Sequence, residues 1–117
     1  MGATNWIKIA DSINEIFFGS NSIAEAIADG KKICIAKHGN KLFAFAYKCP
    51  HASGLLIEGY IDPLGNVVCP LHRYKFSLQN GRNTSGEGFY LKTWPIEIRE
   101  NGVYLGFEKN SLFSLFK

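Results

Sequence analysis

Two short stretches each pair one cysteine with one histidine: "KCPHASGLL" at residues 48–56 and "CPLHRYKF" at 69–76. The 117 residues hold three cysteines and three histidines, and four of these six side chains fall in the motifs Cys49-x-His51 and Cys69-x-x-His72. Thiolate and imidazole together suit zinc or iron. A proline follows each cysteine, Pro50 and Pro70. Its fixed φ and missing N–H stiffen the loop tip. Gly54 and Gly59 let the backbone bend closely around a ligand. From the residues alone, three readings stand open. The pairs could hold one metal centre, with each half giving one donor of each kind. They could form a mononuclear Cys2His2 zinc site, although cysteines there usually share one knuckle and histidines the other. Or they could be buried cysteines and surface histidines without a ligand.

Around the motifs the chain is punctuated by turns. "WIKIA" (6–10), "KICIA" (32–36), "LFAFAY" (42–47), "NVVC" (66–69), "YKFSL" (74–78), "WPIEIRE" (94–100) and "VYLGFE" (103–108) read as short strands. Gly39-Asn40 and Asn101-Gly102 are two-residue hairpin signals, and Pro63 and Gly65 place a tight turn in "DPLGN". Turn signals at this density predict an all-β sandwich or small barrel. One segment reads helical, "SIAEAIADG" (22–30), with Ser22 as N-cap, Glu25 three residues on and Gly30 past the end.

Composition narrows the function classes. Hydrophobic residues make up 46% and charged residues 20%, which fits one globular domain. The net charge is +3 and Lys31-Lys32 is the longest basic run, so nothing points to nucleic acid. No apolar stretch is long enough to span a bilayer. "MGATNWIKIA" lacks a basic region followed by an apolar run, so no secretory signal is expected. A cytoplasmic, reducing compartment is the default reading, and it also suits metal-bound thiolates.

The stretch "CPHASGLLIEGYIDPLGNVVCPLHRYKFSLQNGR" resembles the Rieske [2Fe-2S] domain, and specifically the small soluble Rieske-type ferredoxins. The likeness is tightest over residues 49–81 and looser from the hairpin at 32–47 to the strands at 91–108. It implies an all-β, Rieske-type antiparallel β-sandwich. The chain would be a single domain over 1–117, with a cluster-binding subdomain at about 48–76. It implies one [2Fe-2S] cluster, with Cys49 and Cys69 on one iron and His51 and His72 on the other, at the exposed tip. The function implied is one-electron transfer from a flavoprotein reductase to a terminal oxygenase or similar acceptor. The chain has no room for a catalytic iron domain, so it would be a carrier and not an enzyme. A second reading makes it the redox small subunit of an assimilatory nitrite reductase.

The ligand set suits a carrier of raised potential. Two ferric irons, two sulfides, two thiolates and two neutral imidazoles sum to zero charge, whereas four thiolates would leave the centre doubly negative. An electron is added more easily to the neutral centre, so the potential should lie above the about −400 mV of plant-type ferredoxins. High-potential Rieske proteins resemble C-x-H-x-G-C and C-P-C-H-G-S, with a disulfide bracing the loops. Gly54 and Leu71 stand where those cysteines would be, and Tyr74 and Phe76 stand where a serine and a tyrosine would donate to sulfur. Fewer donors predict the low end of the Rieske range, roughly −150 mV.

Other residues carry plainer expectations. His38 reads as a solvated turn residue and Cys34 as a small core side chain. Lys48 and Arg73 flank the motifs and could raise the potential or attract an acidic partner. Ala52, Leu55 and Leu71 could shield the cluster or meet a partner. In related ferredoxins a proline-containing third loop often covers the cluster. The candidate here, "NTSGEGFY" (83–90), has no proline, and Gly86 and Gly88 predict a flexible cover. The apolar tail "NSLFSLFK" (110–117) should pack on its own sheet or form an oligomer contact.

Overall fold

The computed structural model describes residues 3–51 and 54–109, so the tail at 110–117 and Ala52 lie outside the described residues. Within them the chain is all-β. The strands are β1 (Ala3–Ala10), β2 (Ile23–Ala28), β3 (Lys31–His38), β4 (Lys41–Ala46) and β5 (Tyr60–Ile61). They continue with β6 (Asn66–Val68), β7 (Lys75–Ser77), β8 (Thr93–Trp94), β9 (Ile96–Arg99) and β10 (Gly102–Lys109). Short 3₁₀ turns at Ile13–Glu15 and Leu56–Glu58 are the only helical pieces among the described residues.

Three sheets result, ordered β1-β10-β9, β2-β3-β4-β8 and β5-β6-β7, with every pairing antiparallel. The β2-β3-β4-β8 sheet is buried on both faces, and "KICIA" explains how. Its residues alternate with the period of two that a strand imposes. Ile33 and Ile35 pack with Val103, Leu105 and Phe107. Cys34 and Ala36 face the other way, towards Phe45, Leu56, Val67, Phe76 and the two motif cysteines. Cys49 and Cys69 are therefore part of a core shared by the β2-β3-β4-β8 and β5-β6-β7 sheets. Cys34 is fully buried, and burial, assisted by Glu25, pushes its thiol up to about 12. It is the inert core side chain expected.

The helix expected at 22–30 is a strand. β2 pairs with β3 from Ile23↔Ala36 to Ala28↔Lys31. The cause lies in Asp29-Gly30, whose φ values of +52° and +73° make the left-handed pair that a tight two-residue hairpin needs. Two turns of isolated helix could not compete with a full ladder beside "KICIA". "WPIEIRE" also differs from expectation. Pro95 ends β8 in one sheet and the chain resumes as β9 in another, which suits a residue without an N–H. The hairpin read at Asn101-Gly102 is present but one residue earlier: Gly102 already pairs with Arg99, so Glu100 and Asn101 form the link.

Candidate metal centre

Both Cys–His motifs sit on loops that close on themselves. After β4, the amide of Cys49 donates to the Gly54 carbonyl at 2.8 Å and the amide of Leu56 to the Tyr47 carbonyl at 2.9 Å. The second loop joins β6 to β7, and there the Cys69 amide donates to the Tyr74 carbonyl at 2.9 Å. The path between them is tied down as well. The Asn21 side-chain amide donates to the carbonyls of Ile57 and Gly59, both at 2.9 Å. The Asp62 carboxylate accepts from the amides of Leu64 and Asn66 and from the Asn66 side chain, at 2.9–3.0 Å. Gly59 is required for close approach, since a Cβ there would strike the Val68 carbonyl.

The donor atoms of Cys49, His51 and Cys69 all lie within 4.8 Å of one another. Cys49 Sγ is 3.0 Å from His51 Nδ1, and His51 Nε2 is 2.9 Å from His72 Nδ1. Three of the four expected residues thus form one group, and His72 joins it through His51. Cys69 is fully buried, Cys49 is 4% exposed, His51 is half-buried and His72 is exposed. Burial pushes the free Cys69 thiol up to about 11. Two buried thiols next to two imidazoles fit a cationic centre better than an empty core. The three cysteines are free thiols, so no disulfide braces the loops. At the bracing positions, a Cβ on Gly54 would come within 3.1 Å of both Cys69 Sγ and the Leu71 side chain. Leu71 fills that space instead.

Residues 83–90 come to this site and bring one feature that sequence reasoning missed. Asn83 Nδ2 donates to the Lys75 carbonyl, Ser85 Oγ and Glu87 Oε1, and the Lys75 amide donates to Ser85 Oγ at 2.9 Å. The Ser85 hydroxyl, followed by the Asn83 side chain, holds the Glu87 carboxyl below its ordinary value. The loop's order is therefore built from hydrogen bonds in place of proline. It sets the Phe89 ring 5.7 Å from His51, and Tyr74 lies 4.0 Å from His51, centroid to centroid. The signal in the sequence is the aromatic Tyr74, two residues past His72. His38 is half-buried at the end of β3 against Gly65, at the opposite end of β6 from Cys69, and is not the solvated turn residue expected.

A family model for the Rieske [2Fe-2S] domain matches residues 6–95. The chain belongs to this family, and its cofactor is a [2Fe-2S] cluster. It is 27% identical over 77 residues to the ferredoxin component of the alkene monooxygenase system of Xanthobacter autotrophicus, covering 66% of this chain. The match spans 63% of that relative's length. The fold is shared with a chain in the complex of reduced oxygenase and oxidised ferredoxin of carbazole 1,9a-dioxygenase (TM-score 0.73, 23% identity, 90% of this chain and 95% of that one). It is also shared with a putative NADH-dependent nitrite reductase small subunit from Mycobacterium tuberculosis (TM-score 0.78, 14% identity, 92% of this chain and 99% of that one).

Proposed function

We propose that the chain is a one-electron carrier, with Cys49 and Cys69 holding the inner iron and His51 and His72 the outer one. Residues 48–76 act as its cluster-binding part. The observation that carries this reading is the gradient of exposure across the four residues, from fully buried Cys69 to exposed His72. When bound, the cluster supplies storage for one electron near the surface. The chain's own residues bind it, exclude water from its sulfur side and present an imidazole edge outward. No catalytic role is assigned to any residue.

Electrons would come from a flavoprotein reductase and go to a terminal oxygenase or similar acceptor, in the cytoplasm. Among the described residues no helix is long and apolar enough to cross a membrane. In or beside the two motifs and the 83–90 loop, the apolar side chains Leu71, Phe89 and Tyr90 and the cations Lys48 and Arg73 are exposed. Such a surface suits a partner with an acidic border. Phe76 carries no hydroxyl, and Tyr74 stacks its ring on His51 where a high-potential site has a short serine, so fewer donors to sulfur are supplied. The potential belongs at the low end, roughly −150 mV, and a midpoint above about +100 mV would refute that placement.

A second reading is the redox small subunit of an assimilatory nitrite reductase, favoured by the likeness to the M. tuberculosis fold. Rapid reduction by a flavoprotein with free dissociation supports the carrier. Stable co-purification with a large sirohaem enzyme supports the subunit.

A further inference from the structure

The two histidines are not equally covered. His51 has Tyr74 on its ring at 4.0 Å and a 35° tilt, and Phe89 at 5.7 Å and 60°. Tyr74 and Phe89 also touch each other, at 5.9 Å and 31°. Among the described residues the only ring near His72, beside its contact with His51, is Tyr74 at 6.1 Å, and its side chain is exposed. The two covering rings come from different loops, yet one residue links them. Lys75 follows Tyr74 in the chain. Its carbonyl accepts from the Thr84 amide and Asn83 Nδ2, and its amide donates to Ser85 Oγ, each at 2.9 Å. The backbone that places Tyr74 therefore also holds the loop that delivers Phe89.

We propose that Tyr74 and Phe89 clamp His51 from its solvent side, leaving His72 as the one ligand edge that a partner meets. This rests on the carrier reading above. Both are positioning residues, acting on the orientation and solvent access of His51. Tilted ring contacts of this kind fix geometry as well as excluding water. Tyr74 acts through its ring, because among the described residues no hydrogen bond of its hydroxyl enters the arrangement.

The test uses chain whose content of two irons and two sulfides has first been verified. Diethyl pyrocarbonate transfers an ethoxyformyl group to an imidazole nitrogen not taken by metal, releasing ethanol and carbon dioxide. Peptide mass spectrometry then reads His51 and His72 separately. In the unaltered protein His72 should react about tenfold faster than His51, the factor by which a cover closed most of the time slows a reagent. Phe89→Ala and Tyr74→Ala should bring His51 close to the rate of His72, and Tyr74→Phe should keep it protected. If Tyr74→Ala fails to load the cluster, Phe89→Ala, on a loop outside the ligand motifs, decides alone. Equal rates in the unaltered protein, or His51 still protected in Phe89→Ala, would overturn the clamp. A chain that binds no iron and sulfide would overturn the carrier reading instead.

Discussion

Arg73 bears the conformational cost of the second ligand loop. It follows His72, and both are left-handed, at φ +59° and +61°. In the motif C-P-C-H-G-S the position of Arg73 is glycine, the residue without a Cβ penalty there. A non-glycine residue in this region costs about 1–2 kcal/mol. Arg73→Gly should therefore be about 1 kcal/mol more stable than Arg73→Ala in denaturant titrations, the reverse of the usual order in regular structure. Equal stabilities, or a more stable alanine variant, would place the strain elsewhere. At Cys69, Cys69→Ser should abolish cluster loading, read as loss of bound iron and sulfide from the purified chain. The grouping of Cys49, His51 and Cys69 was legible because rare residue types fell in a tight pattern. The cover on His51 was not, because a single aromatic in a loop carries no spacing from which a contact at 4.0 Å follows.

At the scale of elements, stability concentrates in the links between strands. Asn21 satisfies two carbonyls in the segment after the first ligand loop. Asn21→Ala should cost about 1–3 kcal/mol in thermal or denaturant unfolding, since those carbonyls lose their donor. A cost near zero would mean that water replaces the amide. Asp62 caps the turn from β5 to β6. Burial opposes its charge, but hydrogen bonds from Asn66 and Leu64 and the nearby Lys75 hold its carboxyl below the usual 3.8. The sign follows from linkage. A depressed folded pKa contributes stability that is present above the unfolded value and lost as pH falls through the folded one. Asp62→Asn should therefore lower neutral-pH stability by about 1–2 kcal/mol. Its deficit should shrink as the pH drops below 3.8. A deficit independent of pH would show that shape, not charge, is what matters at this turn. Most strands were legible from alternation and turn residues. β2 was misread because "IAEAIA" satisfies a short helical pattern and a period of two equally well. Asp29-Gly30 and the ladder with β3 decide between them. β5, two residues long, has no pattern to read.

At the scale of the whole molecule, the two Cys–His loops rest on a core that continues into the β2-β3-β4-β8 sheet. The net charge of +3 and the cations flanking the tip predict that salt slows transfer to an acidic partner. Stopped-flow rates that do not change with ionic strength would remove electrostatic docking. Sheet order was not legible in the sequence, because nothing in β1 says that it pairs with β10, about a hundred residues away, beyond a shared need to cover Ile33 and Ile35. The central claim is the mixed ligand set, two cysteines on one iron and two histidines on the other. An electron paramagnetic resonance spectrum of the dithionite-reduced chain tests it most directly. The account predicts the lowered average g of a [2Fe-2S] cluster with nitrogen and sulfur ligands, lost in Cys69→Ser and altered in His72→Cys. An average g typical of four cysteine ligands, or one metal without sulfide and no such signal, would contradict it.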